Sequence, residues 1–144
     1  MPIGKADLIK VDKSNRQMQL LRSGVVIASY QIALGDAPEG HKMQEGDERT
    51  PEGRYVIDWR NPKSSYFLSL HISYPDANDK ARAKAAGVSP GGDIMIHGQP
   101  NGFGMMETGL QKFDWTNGCI AVTNAQMQEI WGAVPDGTPI EITP

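Results

Sequence analysis

No apolar stretch in this chain runs far before a turn former interrupts it, and that cadence limits the folds open to it. Sixteen glycines and ten prolines are spread through 144 residues. Short runs rich in Val, Ile, Leu and Tyr between such breakers read as strands rather than long helices. Strands are predicted over residues 7–12, 17–21, 25–34, 54–59, 66–73, 93–97, 119–122 and 138–142. The polar turns Ser14-Asn15 and Ser23-Gly24 join the first three into an antiparallel meander. Two short helices are expected. One covers residues 79–86, with Asn78 as its cap and Gly87 as its stop. The other starts at a Thr123/Gln126 capping box and buries Met127, Ile130 and Trp131 on one face. The expected fold is mostly β, an antiparallel β-sandwich or partly open barrel with two short helices. No repeat, linker or low-complexity tract divides the chain, so residues 1–144 read as one domain.

Composition removes several function classes. A net charge of -3 without any Lys/Arg block lacks the electrostatic footprint of a nucleic-acid binder. No apolar run approaches the ~20 residues of a membrane-spanning helix. Met1-Pro2-Ile3-Gly4-Lys5 is not a charged start followed by an apolar stretch, so no signal peptide is expected. Cys119 is the sole cysteine, which precludes an internal disulfide and fits either the cytosol or the periplasm.

Chemistry concentrates at two places. Cys119 follows the glycine turn Trp115-Thr116-Asn117-Gly118, where backbone N–H groups bunch. Such groups can activate a thiol or hold an oxyanion. The plain alternative is a small buried apolar side chain. His97 closes an apolar strand just before Gly98, at a rim position. It reads either as the base a nucleophilic cysteine needs or as a core histidine with a satisfied ring. His71, between Leu70 and Ile72, reads as a cross-sheet partner or as a group facing the same cleft, and stands as a reserve base. His41, in the glycine-rich loop of residues 35–53, reads as a solvated surface residue. None of the three histidines has zinc-motif spacing to another ligand, so no metal is expected. No phosphate loop, dinucleotide fingerprint or Gly-x-Ser-x-Gly elbow is present.

His97-Gly98, a glycine-rich spacer, and Thr116-Asn117-Gly118-Cys119-Ile120 together resemble the signature of the YkuD-type L,D-transpeptidase catalytic domain. That signature is a His-Gly, a spacer, and a Ser/Thr-x-Gly-Cys followed by an apolar residue. Gly46-Asp47-Glu48-Arg49-Thr50-Pro51-Glu52-Gly53-Arg54-Tyr55 is similar to the family's segment entering a strand. Leu70-His71-Ile72-Ser73-Tyr74-Pro75 and residues 114–124 resemble its YafK-like branch in particular. The likeness extends from Leu34 to Pro144.

The resemblance implies a β-sandwich with Cys and His on adjacent elements at one cleft. It implies acyl transfer on peptidoglycan stem peptides at the L-centre of diaminopimelate, without a metal or organic cofactor. Cys119 would be the nucleophile and His97 its base, with the Gly98 carbonyl behind the histidine. The N–H groups of Gly118 and Cys119 would form the oxyanion site. His71, Trp115, Thr116 and Asn117 would line the substrate side. The partner is a stem peptide, with an amine of a second stem or of a wall-bound protein as acceptor, and the location would be periplasmic or wall-facing. Two positions depart from the pattern. Asn117 stands where many members have His or Arg, and Ala121 where many have Arg or Asn. Hydrolysis of the same thioester, as an L,D-carboxypeptidase or amidase would perform, is therefore the alternative, and an inert wall-binding module the third reading.

Overall fold

Alternating apolar and polar residues build eight strands: β1 (Leu8–Asp12), β2 (Gln17–Arg22), β3 (Val25–Gln31), β4 (Gly53–Ser64), β5 (Phe67–Ile72), β6 (Met95–His97), β7 (Ile120–Ala121) and β8 (Pro139–Thr143). Among the described residues two helices accompany them, α1 (Ala77–Ala86) and α2 (Asn124–Ala133). The computed structural model describes residues 3–35, 38–101 and 116–144. The strands form one mostly antiparallel sheet in the order β3-β2-β1-β8-β4-β5-β6-β7.

The expected meander is present, with Leu8 opposite Leu21 and Gln17 opposite Gln31. Two pairings are parallel, however: β1 with β8, and β6 with β7. Each joins segments far apart in sequence, so no turn announces it. The apolar run of residues 25–34 is not one strand either. β3 ends at Gln31, and the chain then crosses to the far end of the order. There Ala33 exchanges both backbone hydrogen bonds with Ala121, at 2.9 and 3.0 Å, which curls the sheet toward closure.

The curl encloses the core. Ile9, Leu20, Ile57, Leu70, Ile96 and Ile140 are fully buried, with Met127 and Ile130 of α2 beside them. Each such side chain contributes about 1.5–3 kcal/mol by leaving water. Trp131 is only half-buried and packs at the edge, where the Arg60 guanidinium lies 4.7 Å from its ring.

The caps divide the two helix expectations. Thr123 and Gln126 form the reciprocal box at the start of α2, and Gly87 ends α1 in the left-handed region. The cap of α1 is Asp76, not Asn78. Asp76 accepts from the Asp79 N–H at 2.9 Å while the Asp79 carboxylate accepts from the Asp76 N–H at 3.1 Å. Asp79 is in turn held by the Tyr55 hydroxyl at 2.7 Å and His41 Nε2 at 2.9 Å. His41 is thus no solvated residue. Its Nδ1 accepts from the Glu52 N–H at 2.7 Å, so it ties the 35–53 loop to α1. Tertiary anchoring of Asp79 selects the earlier cap, which local sequence does not show.

Replacing Thr123 by Ala removes one half of the α2 box. Urea unfolding should show a loss of about 1 kcal/mol.

Candidate active site

Strand alternation sorts β5, β6 and β7 into two faces. Leu70, Ile72, Ile96 and Ile120 point into the core. Ser69, His71, Met95 and His97 occupy the opposite face, because His71 pairs with Met95 and Ser69 with His97. The parallel register sets His97 beside Ala121 and Ile96 beside Ile120. Cys119 lies two positions before Ala121 and so shares the face of His97, one diagonal step away on the neighbouring strand. The Cys119 sulfur confirms the level: it accepts from the Met95 N–H at 3.4 Å and donates to the Asp93 carbonyl at 3.3 Å.

His97 is 4% exposed and its ring stacks on Tyr66, with centroids 4.4 Å apart. Its Nδ1 lies 2.7 Å from the Gly98 carbonyl. A carbonyl only accepts, so Nδ1 carries the proton and Nε2 presents its lone pair. Burial depresses the ring's pKa from 6.5 to about 4, against the opposing pull of the Gly98 carbonyl. A Cβ at Gly98 would sit 2.5 Å from Asn124 Oδ1 and 3.1 Å from the Tyr66 carbonyl oxygen, so any larger residue requires Asn124 to move.

Cys119 is half-buried. Burial pushes its thiol up to about 11, while the Met95 N–H and, more weakly, the Lys42 ammonium pull the other way. Lys42 is 3% exposed and bound to Asp47 at 2.9 Å. The resting pair is therefore a neutral thiol and a neutral imidazole.

The turn before Cys119 is clamped from two sides. Gly118 has φ +112°, and a Cβ there would lie 2.7 Å from the Arg49 carbonyl. Its carbonyl accepts from the buried Thr50 hydroxyl at 2.7 Å. Thr116 is buried as well. Its hydroxyl accepts from the Gly118 N–H at 3.2 Å and donates to the Cys119 carbonyl at 2.7 Å. Thr116 thus shapes the turn from inside, although the sequence placed it on the substrate side. The Gly118 N–H, expected at the oxyanion site, is engaged by that same hydroxyl. Asn117 is exposed beside the cysteine, and Trp115 lies outside the described residues.

His71 does have a cross-sheet partner, and it also shares the site's face. Its Nδ1 is 2.5 Å from Asp58 Oδ1, and its ring stacks on Trp59 at 4.6 Å. Sequence reading gave no role to Thr50, Tyr66, Asp93 or Asp58. Thr50 was visible in the Thr-Pro-Glu-Gly segment, but its contact with Gly118 is 68 residues distant and carries no local signal. Among the described residues no three His, Cys, Asp or Glu side chains come together as a metal set.

Residues 6–142 match YkuD, the L,D-transpeptidase catalytic domain. The chain belongs to this family. A curated relative is YafK of Escherichia coli K12, whose name places it among the L,D-transpeptidases; it is 29% identical over 148 residues, covering 95% of this chain and 52% of YafK. The chain thus spans about half the length of the curated relatives it matches. The fold is shared with the helical cell shape determining protein Pgp2 of Campylobacter jejuni, at TM-score 0.71 and 23% identity, covering 96% of this chain and 48% of that one. It is shared also with the transpeptidase LdtMt1, solved in complex with imipenem, at TM-score 0.62 and 16% identity over 97% of this chain and 60% of that one. No helix among the described residues is long and apolar enough to cross a membrane.

Two predictions follow from the packing. Gly118→Ala meets both the positive φ and the Arg49 carbonyl, and should lose about 1–3 kcal/mol in urea unfolding. Asn117→Ala next to it, being exposed, should stay within about 0.5 kcal/mol. The depressed His97 pKa also makes stability pH-dependent. The folded state binds fewer protons than the unfolded chain between about 4 and 6.5, so this contribution is full above 6.5 and is lost as pH falls toward 4. It amounts to on the order of 3 kcal/mol. Unfolding at pH 4.5 and 7 should show a smaller acid loss in His97→Asn than in the parent chain, while carboxylate contributions remain common to both.

Proposed function

We propose that the protein is a cysteine acyltransferase of the bacterial cell wall, an L,D-transpeptidase acting on peptidoglycan stem peptides, with Cys119 as nucleophile and His97 as base. The observation that carries this reading is the Gly98 carbonyl on His97 Nδ1, which leaves Nε2 as the proton acceptor on the same face as the thiol. A stem-peptide carbonyl at the L-centre of diaminopimelate is attacked by sulfur as the thiol proton passes to His97. His97 then returns that proton to the leaving amine, and a thioester remains. Proton transfer accompanies attack because neither partner is charged beforehand.

The oxyanion needs donors. The Cys119 N–H is the donor we assign. The Gly118 N–H joins it only by giving up its 3.2 Å bond to Thr116. An amine of a second stem, or of a wall-bound protein, resolves the thioester; His71, Asn117 and Trp115 are assigned to the substrate side. The reaction belongs on the wall-facing or periplasmic side, where its substrate is. Residues 1–144 act as one catalytic domain in this reading, and no metal or organic cofactor enters it.

Hydrolysis is the second reading, and Ala121 favours it. That residue is fully buried and paired with Ala33, so it supplies no polar group for an acceptor. Mass analysis of products from purified stem peptides separates cross-linked from trimmed products. An inert wall-binding module would give neither.

Cys119→Ala should lower turnover by about 10³-fold or more with the fold retained, since the nucleophile is removed and little volume is lost. A carbapenem should acylate the parent chain. LdtMt1, which shares the fold, was solved with imipenem. Ring opening keeps the inhibitor's whole mass, so intact-protein mass spectrometry should show one adduct in the parent and none in Cys119→Ala. Adducts on another residue would sink the assignment.

A further inference from the structure

The site's face carries a second acid–base pair that acylation does not use. β4 and β5 are out of step between Ile57 and Trp59: Ile57 pairs with Ile72, and Trp59 with the adjacent His71. One residue, Asp58, is left over as a β-bulge. In a regular strand Asp58 and Trp59 would point to opposite faces. The bulge sends both to one ring: Trp59 stacks on His71 with planes 13° apart, and Asp58 Oδ1 meets its Nδ1 at 2.5 Å. A carboxylate cannot donate, so the neutral ring carries its proton on Nδ1. Nε2 then holds the lone pair and has no protein partner among the described residues. His71 pairs with Met95, whose N–H holds the Cys119 sulfur. His71 and Cys119 therefore flank Met95 at one level, two strand spacings or about 10 Å apart at the backbone. The Met95 side chain shares that face between them, and an acceptor held over it would lie between the ring and a thioester.

We propose that His71, oriented by Asp58 and Trp59, is the base that activates the acceptor in the second half of the reaction. This rests on the thioester reading above. The acceptor amine, or water, gives its proton to His71 Nε2 as its nitrogen or oxygen bonds to the thioester carbon. The C–S bond breaks and Cys119 leaves as a thiolate. It recovers a proton from water, and His71 returns its own to water. His71 is then a catalytic residue, because it touches the acceptor, while Asp58 is a positioning residue acting through it. The two histidines divide the work: His97 serves the donor and His71 the acceptor.

The test follows the acyl-enzyme by intact-protein mass spectrometry during turnover of purified stem peptides, with and without an added amine. His71→Gln should keep its acylation rate within about 2-fold while turnover falls ~100-fold, so that acyl-enzyme accumulates. Asp58→Asn should show the same split in milder form, and is the variant to read if His71→Gln folds poorly. Hydroxylamine, which needs little help from a base, should discharge the trapped acyl-enzyme in both variants. Unchanged turnover, or acylation and turnover falling together, overturns the proposal. So does acyl-enzyme that resists hydroxylamine, which would mark a structural role. If the parent chain forms no acyl-enzyme at all, the thioester reading itself fails, an outcome distinct from every variant result.

Discussion

The contact on which the site depends is the close approach of Gly118 to the backbone at Arg49, fastened by the Thr50 hydroxyl on the Gly118 carbonyl. It joins the long loop before β4 to the turn before β7. It helps to set the height at which Cys119 enters the sheet beside Met95, together with the Thr116 hydroxyl on the Cys119 carbonyl. Several choices elsewhere serve this approach. Gly35 also tolerates no Cβ, because Glu48 and Gly118 crowd it. Lys42 and Asp47 brace the loop from within. The Ala33–Ala121 exchange then fixes β7 from its free edge.

Much of this was legible from the residues, and the limits have a physical pattern. Turn chemistry and two-residue alternation are local, so the meander, the Gly87 stop and the Thr123 box could be read directly. The His97-Gly98 and Thr116-x-Gly118-Cys119 pattern pointed to the candidate site by resemblance to the family. Distant pairings left no trace in any one window. β8 inserts between β1 and β4 from the opposite end of the chain, and the Asp76 cap is chosen by contacts of Asp79 with Tyr55 and His41. The bulge at Asp58 was invisible for the same reason. It is a property of two strands in register, not of one.

Burial at the site shifts the pKa values of two of its groups in opposite directions. It drives the His97 ring and the Cys119 thiol each toward the uncharged form. In the reaction proposed above, proton transfer would then accompany attack rather than precede it.

The high thiol pKa has one more outcome. With its pKa pushed well above neutrality by burial, the thiol is almost wholly protonated at neutral pH. The thiolate, not the thiol, is the form that attacks peroxides and disulfides and so becomes oxidised. A cysteine in this setting is chemically quiet toward oxidants until its proton is drawn away.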